Sequence, residues 1–226
     1  MKQITAFFAF LIFSLVVNAQ EDAAEILRLA RINQVQNEAA LSARLRWEGQ
    51  RIPFTIILKD RVIRYKFTDP EEAVILELRD DGPWLAEQKG DKSSEVKGAR
   101  FDHRVRESSV TYEDLAMRFL YWPISKYLGS DVIRTRSAHK IEVHPGQKIK
   151  SLYGVVRLWV DKATGSLLRM EGYDWQGHLI KRFEVVGVQK IDGQWFLKTM
   201  RVETFEPETR KVIDRTYLDV LDQLKP

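Results

Sequence analysis

Cysteine is missing from all 226 positions. That excludes disulfides, a thiolate metal site, a cysteine nucleophile and lipid attachment through an N-terminal cysteine. Histidine is scarce: His103, His139, His144 and His178 are the only four. Glu142 and His144 share one face of a strand and His139 falls on the other, which is short of the three or four converging ligands a metal site needs. There is no G-x-S-x-G elbow, no glycine-rich phosphate loop and no H-E-x-x-H. Charge of one sign is never blocked, because 36 Lys and Arg are interspersed with 32 Asp and Glu. The carboxylate pairs Glu71-Glu72 and Asp80-Asp81 lie beside turns and basic residues, as solvated charges do. These absences point away from an enzyme and away from a cofactor.

Long apolar runs are also lacking, with one exception at the start. Met1-Lys2-Gln3 precedes the uncharged run ITAFFAFLIFSLVV, and Val17-Asn18-Ala19 is a small-residue cleavage site before Gln20. That order reads as a cleavable export signal over residues 1–19, too short for a spanning helix. Residues 20–226 are then expected to form one exported domain, soluble and not lipid-anchored, of roughly 207 residues. Hydrophobic residues make up 44% of the chain, enough for a sizeable core without disulfides. The pI near 9.2 suits anionic lipid headgroups or acidic partners, and export argues against nucleic acid.

What is present is alternation. Asp22, with Glu25 three residues on, caps a helix expected to about Asn37, whose stripe is Ile26, Leu27 and Ala30. From Leu41 the period changes to two: Leu41, Ala43, Leu45 and Trp47 alternate with Ser42, Arg44, Arg46 and Glu48. Gly49-Gln50 reads as a turn, and strands are expected at 52–59, 62–68 and 73–79. Residues 88–109 are polar and read as a loop. Thr111 caps a second helix expected to about Tyr121, with Leu115, Phe119 and Trp122 on its apolar face and Pro123 as its stop. Further strands are expected at 131–137, 140–144, 153–161, 167–174, 179–190, 195–205 and 211–221. Short breaks such as Ala163-Thr164-Gly165 and Asp192-Gly193 favour an antiparallel meander, and no helix of crossover length separates these strands.

Aromatic residues are concentrated on these strands. The segment Tyr153-Gly154-Val155-Val156-Arg157-Leu158-Trp159-Val160 is apolar on both faces except at Arg157, so both faces need cover. Two readings stand equally at this point. Either the helices complete an ordinary core, or they form a lid over an apolar cavity lined by Trp47, Phe54, Tyr65, Phe67, Trp84, Leu115, Phe119, Trp122, Trp159, Met170 and Phe183.

The C-terminal third resembles the LolA-like outer-membrane lipoprotein-sorting proteins. The similarity is carried by Trp159-Val160-Asp161-Lys162-Ala163-Thr164-Gly165, Met170-Glu171-Gly172-Tyr173-Asp174-Trp175-Gln176-Gly177, Lys190-Ile191-Asp192-Gly193-Gln194-Trp195 and Lys198-Thr199-Met200. It continues through Val202-Glu203 to Thr216-Tyr217-Leu218, and Asp81-Gly82-Pro83-Trp84-Leu85 resembles a step nearer the N-terminus. The resemblance implies a mainly β (α+β) fold, an unclosed antiparallel β-barrel or strongly curved sheet with helices over its concave face. It implies a monomeric periplasmic carrier or chaperone for lipid acyl chains or lipoproteins, moving them toward the outer membrane without a cofactor. A non-transporting sensor of the same fold that binds an envelope membrane-protein partner is the alternative. The family's Arg-Pro, whose arginine holds the lid, has no counterpart: Lys59-Asp60-Arg61-Val62-Ile63 lacks the proline, and no latch residue is assigned. Leu115, Phe119 and Trp122 are expected to meet the aromatic rows of the sheet at Tyr65 and Trp159.

Overall fold

The computed structural model describes residues 22–33, 38–191 and 193–224. The expected leader and the end of the first helix, residues 34–37, lie outside the described residues.

Alternation builds the sheet. Along β1 (Ala39–Trp47) the side chains of Leu41, Ala43 and Leu45 are buried, and Ser42, Arg44 and Arg46 between them are half-exposed. This is the two-residue period of a strand with one covered face. The chain continues as β2 (Gln50–Lys59), β3 (Val62–Thr68), β4 (Glu71–Arg79), β5 (Gly82–Lys89) and β6 (Lys92–Glu95). After a largely helical passage come β7 (Ile124–Ile133), β8 (Arg136–His144), β9 (Val155–Asp161) and β10 (Leu167–Tyr173), then β11 (Leu179–Ile191), β12 (Gln194–Phe205) and β13 (Val212–Gln223). The spatial order is β6-β5-β4-β3-β2-β1-β13-β12-β11-β10-β9-β8-β7. Two antiparallel meanders therefore extend outward from a central seam where β1 pairs with β13. β6 and β7 are the free edges, so the sheet is unclosed, as expected.

The inner face is covered by α1 (Ala23–Asn33) and by the passage from β6 to β7, which carries α2 (Tyr112–Ala116) and a 3₁₀ turn, Arg118–Tyr121. Two apolar cores result. The first gathers Leu41, Leu45, Phe54, Tyr65, Phe67, Leu76 and Leu85 with Val105, Val110, Tyr112 and Ala116 from the passage. The second gathers Ile26, Leu27 and Ala30 of α1 with Phe119, Leu120, Trp122, Ile141, Leu158 and Met170. Phe183 packs against both.

The passage departs from the sequence reading in ways the two cores explain. Residues 88–109 are not one loop: the end of β5 and all of β6 lie there, and Gly98–Asp102 forms a 3₁₀ turn. The expected helix from Thr111 is two short pieces, split at Met117, whose φ is +46°. α2 serves the first core and the 3₁₀ turn serves the second, and the left-handed residue redirects the chain between them. The strand expected at 131–137 is the end of β7, a turn at Arg134-Thr135 and the start of β8. At the first helix, Asp22 Oδ1 accepts from Ala24 N at 2.9 Å, as a cap should. Glu25 turns instead to Arg28, 2.6 Å away.

Candidate functional site

The passage is fastened to the sheet by a buried polar network. Thr111 Oγ1 accepts from Asp114 N at 3.2 Å and Asp114 Oδ2 accepts from Thr111 N at 2.9 Å, a reciprocal capping box. Asp114 Oδ1 then accepts the Tyr153 hydroxyl at 2.6 Å, and Lys181 Nζ of β11 lies 3.4 Å from Oδ2. Lys181 also donates to the Ser109 carbonyl. Ser109 Oγ donates to Thr216 Oγ1 of β13 at 2.6 Å, and Ser109 N donates to the same oxygen at 3.0 Å. Burial and the neighbouring Asp114 carboxylate raise the Tyr153 hydroxyl well above its ordinary range, so it acts as a donor here. Room for Tyr153 comes from Gly172, where a Cβ would stand 2.5 Å from Tyr153 Cε1.

Beside this network is a buried carboxylate that faces the Ser151 side chain and the Arg118 guanidinium without a well-formed hydrogen bond to either. Glu113 on α2 is 0% exposed, and both its oxygens are unbonded. Arg118 Nη1 is 3.8 Å away, beyond hydrogen-bond reach, and is itself unbonded, as is the Trp122 indole Nε1. Desolvation outweighs the pull of Arg118 and pushes Glu113 up to about 7. The Arg118 guanidinium stacks over Phe101 with its Cζ 4.0 Å from the ring centroid.

A cleft of about 950 Å³ between the passage and the sheet has Trp47, Arg104, Arg106 and Tyr112 in its walls, and two others lie toward the far end of the passage. One, of about 310 Å³, has Trp84, Phe101, Arg118, Tyr121, Trp122 and Ile149 in its walls. The other, of about 960 Å³ and mostly apolar, runs along the β8–β9 loop past Ile124, Pro145, Ile149 and Trp175. Ile149 belongs to both. Trp175 is 61% exposed and its indole donates to the Ser151 carbonyl at 3.1 Å, which holds the ring flat against the loop.

The structure sorts the eleven sequence-predicted residues into four groups. Phe54, Tyr65 and Phe67 are in the first core, with Phe54 and Phe67 ring centroids 5.2 Å apart, and Leu115 packs against that core. Phe119, Trp122 and Met170 are in the second, and Phe183 bridges the two. Trp47 is half-buried and donates to Asp214 Oδ1 at 2.8 Å. Trp84, in the wall of the small cleft, and Trp159 lie outside both cores. Trp159 alternates with Leu158 and Val160 of the second core, packs with Ile133 and Ala138, and donates to Asp131 Oδ2 at 2.8 Å. Lys140 Nζ lies 5.0 Å from its ring centroid. The expected meeting of the second helix with Tyr65 and Trp159 is therefore corrected: Leu115 shares a core with Tyr65, while Trp159 is on the far side of the sheet.

Sequence reasoning missed Ser109, Glu113, Asp114, Tyr153, Lys181 and Thr216. The signal that was available is Lys181, a lysine two residues before Phe183 on β11. Elsewhere, Glu142 is held by Arg157 at 2.9 Å and by His144 at 3.2 Å, and among the described residues no His, Asp and Glu cluster forms a metal group. Arg61 pairs with Asp80 at an exposed turn, 2.8 Å apart, with Tyr121 of the passage as a further electrostatic neighbour.

With this geometry in hand, residues 63–224 match a family described as uncharacterized-protein-like. The chain belongs to that family. No curated protein matches its sequence. Solved structures show which fold the chain has. A domain named for outer membrane lipoprotein sorting, from Vibrio parahaemolyticus, superposes with a TM-score of 0.67 at 16% identity, over 90% of this chain and 93% of that one. A LolA superfamily protein from Nitrosomonas europaea gives 0.60 at 16% identity, over 90% and 94%. A DUF1329 family protein from Desulfovibrio piger gives 0.60 at 18% identity, over 89% and 92%. At these identities the likeness is one of fold: the chain has the LolA-like, lipoprotein-sorting fold. No helix among the described residues is long and apolar enough to cross a membrane.

Proposed function

We propose that residues 20–226 form a single exported domain that works in the periplasm as a carrier or chaperone for acyl chains of lipids or lipoproteins. The observation that supports this most is the pair of clefts with Ile149 in the walls of both, the larger of them mostly apolar, beside a helical cover on an unclosed sheet. Burying an acyl chain there draws on apolar transfer at roughly 25 cal/mol per Å², so binding needs no cofactor. The expected binding residues closest to this surface are Trp84 and Trp122; Leu115 and Phe119 are the packed side of the cover, and Met170 and Phe183 are on the sheet beneath it.

The test is direct binding. A fluorescent fatty acid or a lipopeptide should bind saturably, raise the melting temperature and be displaced by unlabelled lipid. Saturating lipid that changes neither fluorescence nor melting temperature overturns the reading. A second reading, an interaction module for an envelope protein, is favoured by β7, a ten-residue edge strand that exposes Ile124, Leu128 and Val132. Such an edge suits strand addition. Stoichiometric recovery of one non-lipidated envelope protein, with no lipidated clients, would favour that module over the carrier.

A further inference from the structure

We infer that the small cleft holds the head of a long-chain carboxylate, with Arg118 Nη1 and Trp122 Nε1 as its donors and the chain lying over Ile149 toward Trp175. The inference rests on the acyl-binding reading and adds a head-group site to it.

The argument begins with unpaired atoms. A buried N–H without an acceptor costs free energy, so native structures seldom keep two of them in one wall. Arg118 and Trp122 both line the cleft, and the Nη1 and Nε1 atoms are both unbonded. Neither group can accept a hydrogen bond, so the two together select an acceptor and reject a donor. The nearest carboxylate, Glu113, stands off at 3.8 Å, beyond hydrogen-bond reach, so the Nη1 hydrogens keep no acceptor although Glu113 and Asp102 lie beside the guanidinium. Those hydrogens are therefore open to an incoming acceptor.

Charge around the cleft limits that anion to a single negative charge. Asp81 and Glu95 are at its rim, and Lys97, the other cation there, is taken by Glu95 at 2.7 Å. One guanidinium with Glu113 and Asp102 beside it and two carboxylates at the rim suits a singly charged head better than a dianionic phosphate. Length decides the rest. A cleft of about 310 Å³ is small for a long acyl chain, but Ile149 in its wall also lines the groove of about 960 Å³, where Ile124 and Trp175 are exposed. An amphiphile with one polar end and one chain fits that succession of surfaces.

The experiment titrates the purified protein with palmitate, with the uncharged 1-monopalmitin and with palmitoyl-lysophosphatidate, each below its micellar concentration. Palmitate should bind tightest. Trp122→Phe keeps the ring packed and removes only the donor, and Arg118→Met removes the charge. Each should weaken palmitate about tenfold and leave monopalmitin unchanged. Trp175→Ala should weaken palmitate and monopalmitin equally. Equal binding of palmitate and monopalmitin, unmoved by Trp122→Phe, overturns the head-group site and leaves acyl binding standing. Tighter binding of lysophosphatidate overturns the choice of carboxylate. Failure of all three amphiphiles to bind overturns both readings.

Discussion

The two cores are assembled by different means. In the first, strands β1 to β5 supply most of the buried side chains, and α2 adds Tyr112 and Ala116. In the second, α1 and the segment from Phe119 to Trp122 supply half of the described buried residues, set against β8, β9 and β10. Arg31 of α1 ties these two covers together, donating to the Leu120 carbonyl at 3.1 Å and lying over the Tyr121 ring at 5.0 Å. One half of the sheet therefore packs largely on itself, and the other depends on its cover. The difference shows that a single passage between two sheet edges can be structural trim in one place and the core itself a few residues later.

The largest effect should come from Phe119→Ala. The ring is fully buried in the second core, so its loss should cost about 3–5 kcal/mol in urea unfolding. Leu115→Ala, on the same passage but half-buried against the first core, should cost about 1–2 kcal/mol. Equal losses at the two positions would abolish the contrast. A loss at Phe119 far below that range would return the cover to a loose lid.

Next is pH. Glu113 is pushed up to about 7 from an ordinary 4.5, with Arg118 pulling down and Asp114 and Asp102 pushing up. A carboxyl raised in the folded state stabilises the fold fully below pH 4.5, and the contribution is lost as pH rises through about 7. The loss should be roughly 3 kcal/mol, at 1.36 kcal/mol per unit. Glu113→Gln should flatten that slope. An unchanged slope would remove Glu113 as its cause.

Gly172→Ala tests the fastening between the halves. The new methyl would press on the Tyr153 ring and pull its hydroxyl from Asp114, at a cost of about 1–3 kcal/mol. Tyr153→Phe in that background should cost little more, since the bond would already be broken; a further full loss would mean that the ring had found room. The smallest effect belongs to Arg61→Ala, which should leave the urea midpoint unchanged, because its pair with Asp80 is exposed. A loss there would restore a latch to the β2–β3 turn.

How legible this was depended on period. β3 was read at its observed bounds, 62–68, because Ile63, Tyr65 and Phe67 alternate with charged or polar neighbours. β6 was not, because Lys92, Ser93, Ser94 and Glu95 are an edge with no apolar face to betray them. β7 blurred for a similar reason, and a bulge near Leu128 shifts its alternation. Trp159 was assigned to the wrong face because β9 is apolar on both, and the cover on its outer side comes from Lys140, Arg169 and Asp131 rather than from a second layer. The polar network escaped because Asp114, Tyr153, Lys181 and Thr216 come from four remote segments. Only the fold brings them together, and no spacing in the sequence announces it.

The seam at the centre of the sheet has a consequence for how the protein is made. Leu41 of β1 pairs with Gln223 of β13, so almost the whole chain separates the two strands that join the halves. Contacts this distant in sequence form late, after the entropy of a long loop has been overcome. Until Val212–Gln223 emerges, β1 and β12 each present an unpaired row of N–H and C=O groups, the kind of surface on which chains add to one another. A chain threaded out N-terminus first carries that open seam through its entire emergence. Protection from aggregation thus rests on its final strand, and shortening the chain by a dozen residues at that end would leave two half-sheets with sticky margins rather than a slightly smaller protein.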